Sequence, residues 1–315
     1  AGARPSASGA RRSIGMSASS TEDGREADVL AAAAAELRDA GIEAGEAAAS
    51  ARWLAEAARR REPEGWRRLF REGVAQRARR EPLQYILGSW PFYPLPKELI
   101  VRPPVLIPRP ETEELVDRIR TAFEAQGDLE RFVDIGSGSG AIAVALLHAF
   151  PRARAVAVDQ SPEAASLTRE NAERCGVMAR LDVVCSRARD WAEGAPRGGF
   201  DLVVSNPPYI PSAELPGLQE EVRCFEDAAA LDGGDDGLEV VNEVLCCARL
   251  VGAPGAHIFL EVHHTHPAVF EAAAAGRGGG LDLEGLRLVG TAEDLGGQPR
   301  FVELRVEADS DLEPR

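Results

Sequence analysis

From residue 131 onward the chain alternates short runs of strand-forming residues with stretches of helical spacing, and nothing else in it constrains the fold as strongly. RFVDIG reads as a strand, AIAVALLHAF as a helix, ARAVAVD as a strand and PEAASLTRENAERCG as a helix. LDVVCS, the strand FDLVVSN, the helix GLEVVNEVLCCARLV and the strand AHIFLEV continue the series. Strands separated by helices line up parallel with helices on both faces, so the prediction is an α/β fold with a doubly wound, mostly parallel sheet. The final segments, LRLVGTAED and PRFVELRV, read as two strands around a Gly-containing turn, an antiparallel edge.

Residues 26 to 80 have a different period. Val29, Leu30, Ala33, Ala34 and Leu37 share one helical face that ends at Gly41. Ala47, Ala51, Leu54 and Ala58 mark a second helix, and Trp66, Leu69, Phe70 and Val74 a third, entered through Pro63. Three short amphipathic helices predict a small bundle whose aromatic residues are core. Between the two regions, LQYILGSWPFYPLPKELIVRPPVLIP mixes aromatic and β-branched residues with Gly and Pro, as a hairpin-like connector does.

The length of 315 residues accommodates both parts. A formal charge of −15 repels polyanions unless arginines cluster, which favours a protein or small-molecule substrate over a nucleic acid. No apolar run is long enough for a membrane helix. The five cysteines include no CxxC pair, which predicts reduced thiols and neither a disulfide frame nor a zinc site. The opening AGARPSASGARRSIGMSASST is basic, Ser-rich and free of acid; it reads either as a transit-peptide remnant or as an ordinary disordered tail. The closing EADSDLEPR reads as a solvated acidic tail.

In VDIGSGSGAIAVAL a strand ends at Ile135 and a helix begins near Ala141, with Gly136, Gly138 and Gly140 at alternate positions between them. Missing side chains let a ligand lie close to the backbone, and the helix N-terminus offers free N–H donors. The next strand ends in Asp159, a carboxylate placed for both hydroxyls of a ribose. Turn and acid together imply an adenosine-containing cofactor. The G-x-G-x-G spacing preceded by Asp134 lacks the third glycine of the dinucleotide fingerprint and resembles class I S-adenosylmethionine-dependent methyltransferases. Asp134 either faces the cofactor's amino-acid end or caps the turn.

The strand DLVVS ends in Asn206-Pro207-Pro208-Tyr209, on the same edge as the Gly turn. The Asn206 side chain and the proline carbonyls supply acceptors and Tyr209 a flat face, which suits a planar –NH2 group. Holding both N–H bonds of such a nitrogen aims it at a methyl donor. The pattern fits glutamine amides and the exocyclic amines of adenine and cytosine alike.

VLIPRPETEELVD, VDIGSGSGAIAVAL, AVDQSP and SNPPYIP, in this order, resemble the HemK/PrmC family; EPLQYILG, FEDAAALDGGDDGLE and EDLGGQPRF add agreement. The resemblance implies a class I S-adenosylmethionine-dependent methyltransferase with a small N-terminal helical bundle. Its implied reaction is methylation of the glutamine amide in the GGQ motif of class I peptide-chain release factors. Gly136, Ser137, Gly138, Ser139, Gly140 and Asp159 would then hold S-adenosylmethionine, with Trp191 against the adenine, although RAR at 187 to 189 is extra to the family pattern. Asn206 would touch cofactor and substrate; Asn206, Pro207 and Tyr209 would be catalytic. Pro207, Pro208, Tyr209 and Phe92 would enclose the glutamine, and Arg109 and Glu111 would fix the loop beside the site.

LEVHHTHPAVF resembles animal mitochondrial relatives, so the expected location is the mitochondrial matrix, otherwise the cytoplasm. His263, His264 and His266 are expected in an exposed loop and not on a metal. A GGQ also occurs in the chain itself, Gly296-Gly297-Gln298, in what reads as a turn. The expected divisions are a tail at 1–22, a release-factor-docking helical domain at 23–82, a connector at 83–104, a catalytic domain at 105–308 and an acidic tail at 309–315. No metal, nucleic acid or membrane partner is expected, and the protein is expected to be a monomer. The alternative function is amino-methylation of adenine or cytosine in a nucleic acid.

Overall fold

A computed structural model describes residues 19–127 and 129–308, and the chain divides into two compact units with the boundary in sequence after Leu83. The predicted tails at 1–18 and 309–315 lie outside the described residues.

The first unit is three helices, α1 (Ser19–Asp39), α2 (Ala44–Arg61) and α3 (Trp66–Ala78). Their predicted apolar stripes meet: Ala33, Ala34 and Leu37 of α1, Ala47, Ala51, Leu54 and Ala58 of α2, and Phe70 and Val74 of α3 are all buried. Gly41 takes the left-handed conformation that ends α1. Glu43 caps α2, its carboxylate accepting from the backbone N–H groups of Gly45 and Glu46. A buried guanidinium, Arg77, donates to Glu46 at 2.6 Å within this small core.

The boundary falls at the first residue of α4 (Leu83–Leu87), and the predicted hairpin follows, β1 (Ser89–Trp90) antiparallel to β2 (Leu99–Ile100). Then follow α5 (Pro110–Gln126), β3 (Arg131–Ile135), α6 (Ala141–Ala149), β4 (Arg154–Asp159), α7 (Pro162–Cys175) and β5 (Leu181–Cys185). The chain continues through α8 (Ala188–Gly194), β6 (Phe200–Ser205), α9 (Glu220–Phe225), α10 (Glu239–Val251) and β7 (Gly252–Glu261). It closes with α11 (His266–Ala274), β8 (Leu286–Glu293) and β9 (Pro299–Val306).

The seven-stranded sheet has the order β5-β4-β3-β6-β7-β9-β8, parallel from β5 to β7 and antiparallel at β9 and β8, as the alternation predicts. Side chains alternate between two apolar layers. Phe132, Leu202, Val204 and Phe259 pack under α5 and α6, and Val133, Val203, Ile258 and Leu260 pack under α10 and α11. From β3 the chain winds outward to β5, then returns to lay β6 on the other side of β3. The strand order therefore reverses between β3 and β6, and ligands bind in the crevice beyond the carboxyl ends of such a pair. Ser205 closes the two strand ends together, its hydroxyl donating to the Ile135 carbonyl at 2.6 Å.

Candidate active site

Two loops leave those adjoining strand ends, the Gly turn from β3 and Asn206-Pro207-Pro208-Tyr209 from β6. Gly136, Gly138 and Gly140 all have positive φ (76, 56 and 80°), which side chains strain. A methyl added at Gly136 or Gly138 would meet nothing within 4 Å, so open space lies over both. One added at Gly140 would fall 2.9 Å from the Thr168 methyl, so that glycine also lets the turn press onto α7. Ser137 and Ser139 are buried; the Ser139 carbonyl accepts from Asn171 Nδ2 at 2.9 Å, and the same amide grips both backbone polar groups of Ile100 in β2.

Asp159 stands at the end of β4 beside this turn. Its carboxylate accepts from the N–H of Gly138 at 2.8 Å and of Ser161 at 2.9 Å, one bond to each oxygen. Each oxygen keeps further lone-pair capacity for a hydroxyl donor. Asp134 is fully buried. Its Oδ2 accepts from the Ala143 N–H at 3.1 Å in the first turn of α6, so the capping role is present. Its Oδ1 is buried with no partner among the described residues. Burial pushes its carboxyl up to about 7. Open space above two glycines, an acid with spare acceptors and an orphaned oxygen beneath the turn fit a cofactor with hydroxyls and a cationic end.

Asp134 also sets a stability signature. The folded carboxyl keeps its proton up to about pH 7, whereas an unfolded one releases it near about 3.9. In that window the folded state holds more protons, so stability falls as pH rises. Asp134→Asn keeps the cap on Ala143 and removes the buried charge. Its melting temperature is expected to decline less than that of the unsubstituted protein between pH 5 and 7; parallel decline in the two would refute the assignment.

The NPPY loop is built against glycine. A methyl at Gly237 would lie 2.3 Å from the Tyr209 carbonyl, which explains the Gly-rich DGGDDG stretch opposite. Ile210 and Gly233 exchange support across this contact, the Gly233 N–H donating to the Ile210 carbonyl at 2.9 Å. Pro207 is buried, and its carbonyl accepts no hydrogen bond from the described residues. Asn206 donates through Nδ2 to the Thr112 hydroxyl at 3.1 Å. Thr112 donates to Glu261 Oε2 at 2.8 Å, and Tyr209 donates its hydroxyl to Glu261 Oε1 at 3.1 Å. Burial, then the Glu261 charge, raises the Tyr209 phenol, so it stays a neutral donor. Burial likewise pushes Glu261 up to about 7.

Arg109 is the N-cap residue of α5 and donates to both oxygens of Glu226 at 2.7 Å, which fixes the PRPE loop as the resemblance implied. The Glu111 side chain makes no hydrogen bond with the described residues; it acts on Tyr209 and Glu261 through its charge. Phe92 is 2% exposed and belongs to the core layer with Leu115 and Ala141, so it is a wall residue and not a free lip.

Residues 187–189 form the N-cap and first turn of α8, which carries Trp191. Its half-buried ring packs 5.9 Å from Phe200 at the edge of the apolar layer beneath α10, which fixes one side of the ring. The histidines depart from expectation: His263 and His266 are buried, because the chain turns directly from β7 into α11. His263 contacts the Thr265 hydroxyl at 2.9 Å, and His266 Nε2 lies 3.0 Å from the Asp236 carbonyl. The GGQ tripeptide forms the exposed turn between β8 and β9. Thr112, Glu261, Thr168 and Asn171 were missed by sequence reasoning. Only the Thr within PRPET and the acid ending the strand HIFLE hinted at the first two.

A doubly wound sheet with a Gly-rich turn facing an NPPY loop across its switch point is a class I methyltransferase fold, and the Methyltransferase small domain family matches residues 112–230. The human MTRF1L release factor glutamine methyltransferase is 38% identical over 245 residues, covering 75% of this chain and 70% of that one. A release factor glutamine methyltransferase of Geobacter sulfurreducens is 47% identical over 60% of this chain and 63% of its own length. One of Bradyrhizobium diazoefficiens is 39% identical over 74% of this chain and 76% of its own. The chain belongs to the release factor glutamine methyltransferase family. Among solved structures, the O-methyltransferase TomG of Streptomyces achromogenes matches at 16% identity and a TM-score of 0.42, over 65% of this chain and 82% of that one. So distant a likeness adds nothing to the assignment.

Proposed function

We propose that this chain transfers a methyl group from S-adenosylmethionine to the side-chain amide nitrogen of the GGQ glutamine in a class I peptide-chain release factor. The observation that carries this reading is the pair of acceptors left without protein partners at the switch crevice, the Asn206 side-chain oxygen and the Pro207 carbonyl. A primary amide has two N–H bonds for two such acceptors, and the ring of Tyr209 offers its plane a surface. An amide nitrogen is a weak nucleophile, so fixing its direction is the main source of rate. Gly136, Ser137, Gly138, Ser139, Gly140, Asp134 and Asp159 would hold S-adenosylmethionine, which when bound supplies an electrophilic sulfonium methyl. Asn206 borders both partners. The methylated nitrogen loses its proton to water, so no strong base is needed.

The helical unit is assigned to docking the release factor. Some of its arginines pair with acids: Arg59 with Glu26, Arg60 with Glu56, and Arg68 with Glu62 and Glu72. The −15 overall charge supports a protein partner over a nucleic acid. The basic, acid-free composition of the first twenty-one residues supports a mitochondrial location. The test is transfer of labelled methyl to a release factor, to its GGQ Gln→Ala form and to duplex DNA. Label on the intact factor alone is expected; label on DNA, or equally on both factor forms, would overturn the reading in favour of the amino-methylase.

A further inference from the structure

Asn206 must present its oxygen, not its nitrogen, to an acceptor amide, and an asparagine side chain has no intrinsic preference between the two. Something in the protein has to choose. Resting on the function proposed above, we infer that Thr112 and Glu261 are positioning residues that set the orientation of the Asn206 amide and tether Tyr209 beside it. The chain of hydrogen bonds runs one way. Glu261 Oε2 takes the Thr112 hydroxyl proton at 2.8 Å, which leaves only lone pairs on Oγ1 for Asn206. Asn206 therefore points Nδ2 at Thr112, at 3.1 Å, and turns Oδ1 to the other side. The second carboxylate oxygen holds the Tyr209 hydroxyl at 3.1 Å. The donors come from α5 and from the two ends of the NPPY loop; one buried carboxylate on β7 takes Thr112 and Tyr209 directly and Asn206 through Thr112.

Burial supports a built device: Thr112 is 4% and Glu261 1% exposed, so water does not compete for these bonds. The direction of the relay depends on the Glu261 charge. A protonated Glu261 can donate to Thr112, which frees the hydroxyl proton for Asn206 and favours the flipped amide. Burial puts that change at about pH 7. The charged and titratable groups facing Glu261 are Arg300 from β9, Glu111 from α5 and Tyr209, while its register partner Phe301 is neutral. Asp134 on β3 titrates in the same range and has to be separated from it.

Two measurements on the whole chain decide the matter. In the first, Thr112→Val is expected to lower kcat for methyl transfer roughly 10- to 100-fold, with the KM for S-adenosylmethionine within about twofold and Thr112→Ser restoring most of the rate. Val occupies the same volume, so a merely structural role would spare kcat. An active unsubstituted enzyme with an equally active Thr112→Val form would overturn the inference.

The second needs no substrate. The chain has only three asparagines, Asn171, Asn206 and Asn242, so selective 15N-asparagine labelling gives three side-chain amide pairs, that of Asn206 assigned by its loss in Asn206→Asp. The Asn206 pair is expected to shift with a midpoint near pH 7, and the shift to vanish in Glu261→Gln and in Thr112→Val. Asn171, whose Nδ2 is bonded to the Ile100 and Ser139 carbonyls, serves as the internal control. An Asn206 signal that ignores pH, or one that still titrates in Glu261→Gln, would overturn the inference. This readout stands even where no methyl reached a release factor, a result that would defeat the proposed function and leave the relay to be judged by the spectra.

Discussion

Replacing Asn206 with alanine lowers kcat for methyl transfer roughly 10²- to 10³-fold, the usual cost of removing one preorganised polar group at a reacting centre. The side chain supplies an acceptor that no other described residue duplicates, since its neighbour Pro207 offers only the backbone carbonyl. The fold should survive. Asn206 is half-buried at a strand end, and its one hydrogen bond is to Thr112, which keeps Glu261 as its own partner. The Gly136–Gly140 turn lies on the neighbouring strand's loop, so calorimetric titration with S-adenosylmethionine should show affinity within a few-fold of the unsubstituted protein. A kcat within tenfold of the original, with binding intact, would remove Asn206 from the reaction.

Arg109→Met is expected to be the most destabilising single change near the site. Glu226 has 1% side-chain exposure, whereas Arg109 has 29%. Removing the arginine strands a buried carboxylate, a loss of about 3–5 kcal/mol when a buried pair is broken from one side. For a unit of this size that lowers the melting temperature by roughly 6–20 °C. Removing the acid is milder, because a part-exposed guanidinium can turn to water; Glu226→Gln should cost about half as much or less. The two are separable by pH. Burial already raises Glu226, and losing Arg109 raises it further, so the folded carboxyl gives up its proton at a higher pH than the unfolded one. Stability of Arg109→Met therefore falls as pH rises above the usual carboxylate range, and the gap between the two variants widens at the alkaline end. Equal losses at every pH would show that the pair is not an asymmetric buried clamp. Activity should fall with stability in Arg109→Met, because Arg109 holds the N-cap position of the helix that delivers Thr112 and ties it to Glu226.

The architecture was readable because its signals are local. Each strand and helix of the sheet carries its own period, and the left-handed glycines and Pro-Pro pair are visible as single letters. The hairpin at Ser89–Ile100 and the antiparallel pair at Leu286–Val306 followed from Gly and Pro punctuation in the same way. The residues that orient the site were hidden because their partners are distant in sequence. Thr112 looks like any first-turn threonine and Glu261 like any strand-end acid until the fold closes the 149 positions between them. The setting of Trp191 was hidden for a related reason: its letter is visible in the sequence, but its packing against Phe200 joins α8 to β6. His263 and His266 looked loop-like because three polar rings in a row resemble a solvated stretch. The tight passage from β7 into α11 buries them, and desolvation pushes both imidazoles down, toward the neutral form.

The most direct test of the central claim is to locate the methyl group. A release factor incubated with the enzyme and S-adenosylmethionine is digested, and the peptide spanning its GGQ motif is sequenced by tandem mass spectrometry. The account predicts one added methyl on the side-chain amide of that glutamine, absent with Asn206→Ala enzyme. A methyl on any other residue, or an unmodified factor beside a methylated nucleic acid, would contradict it.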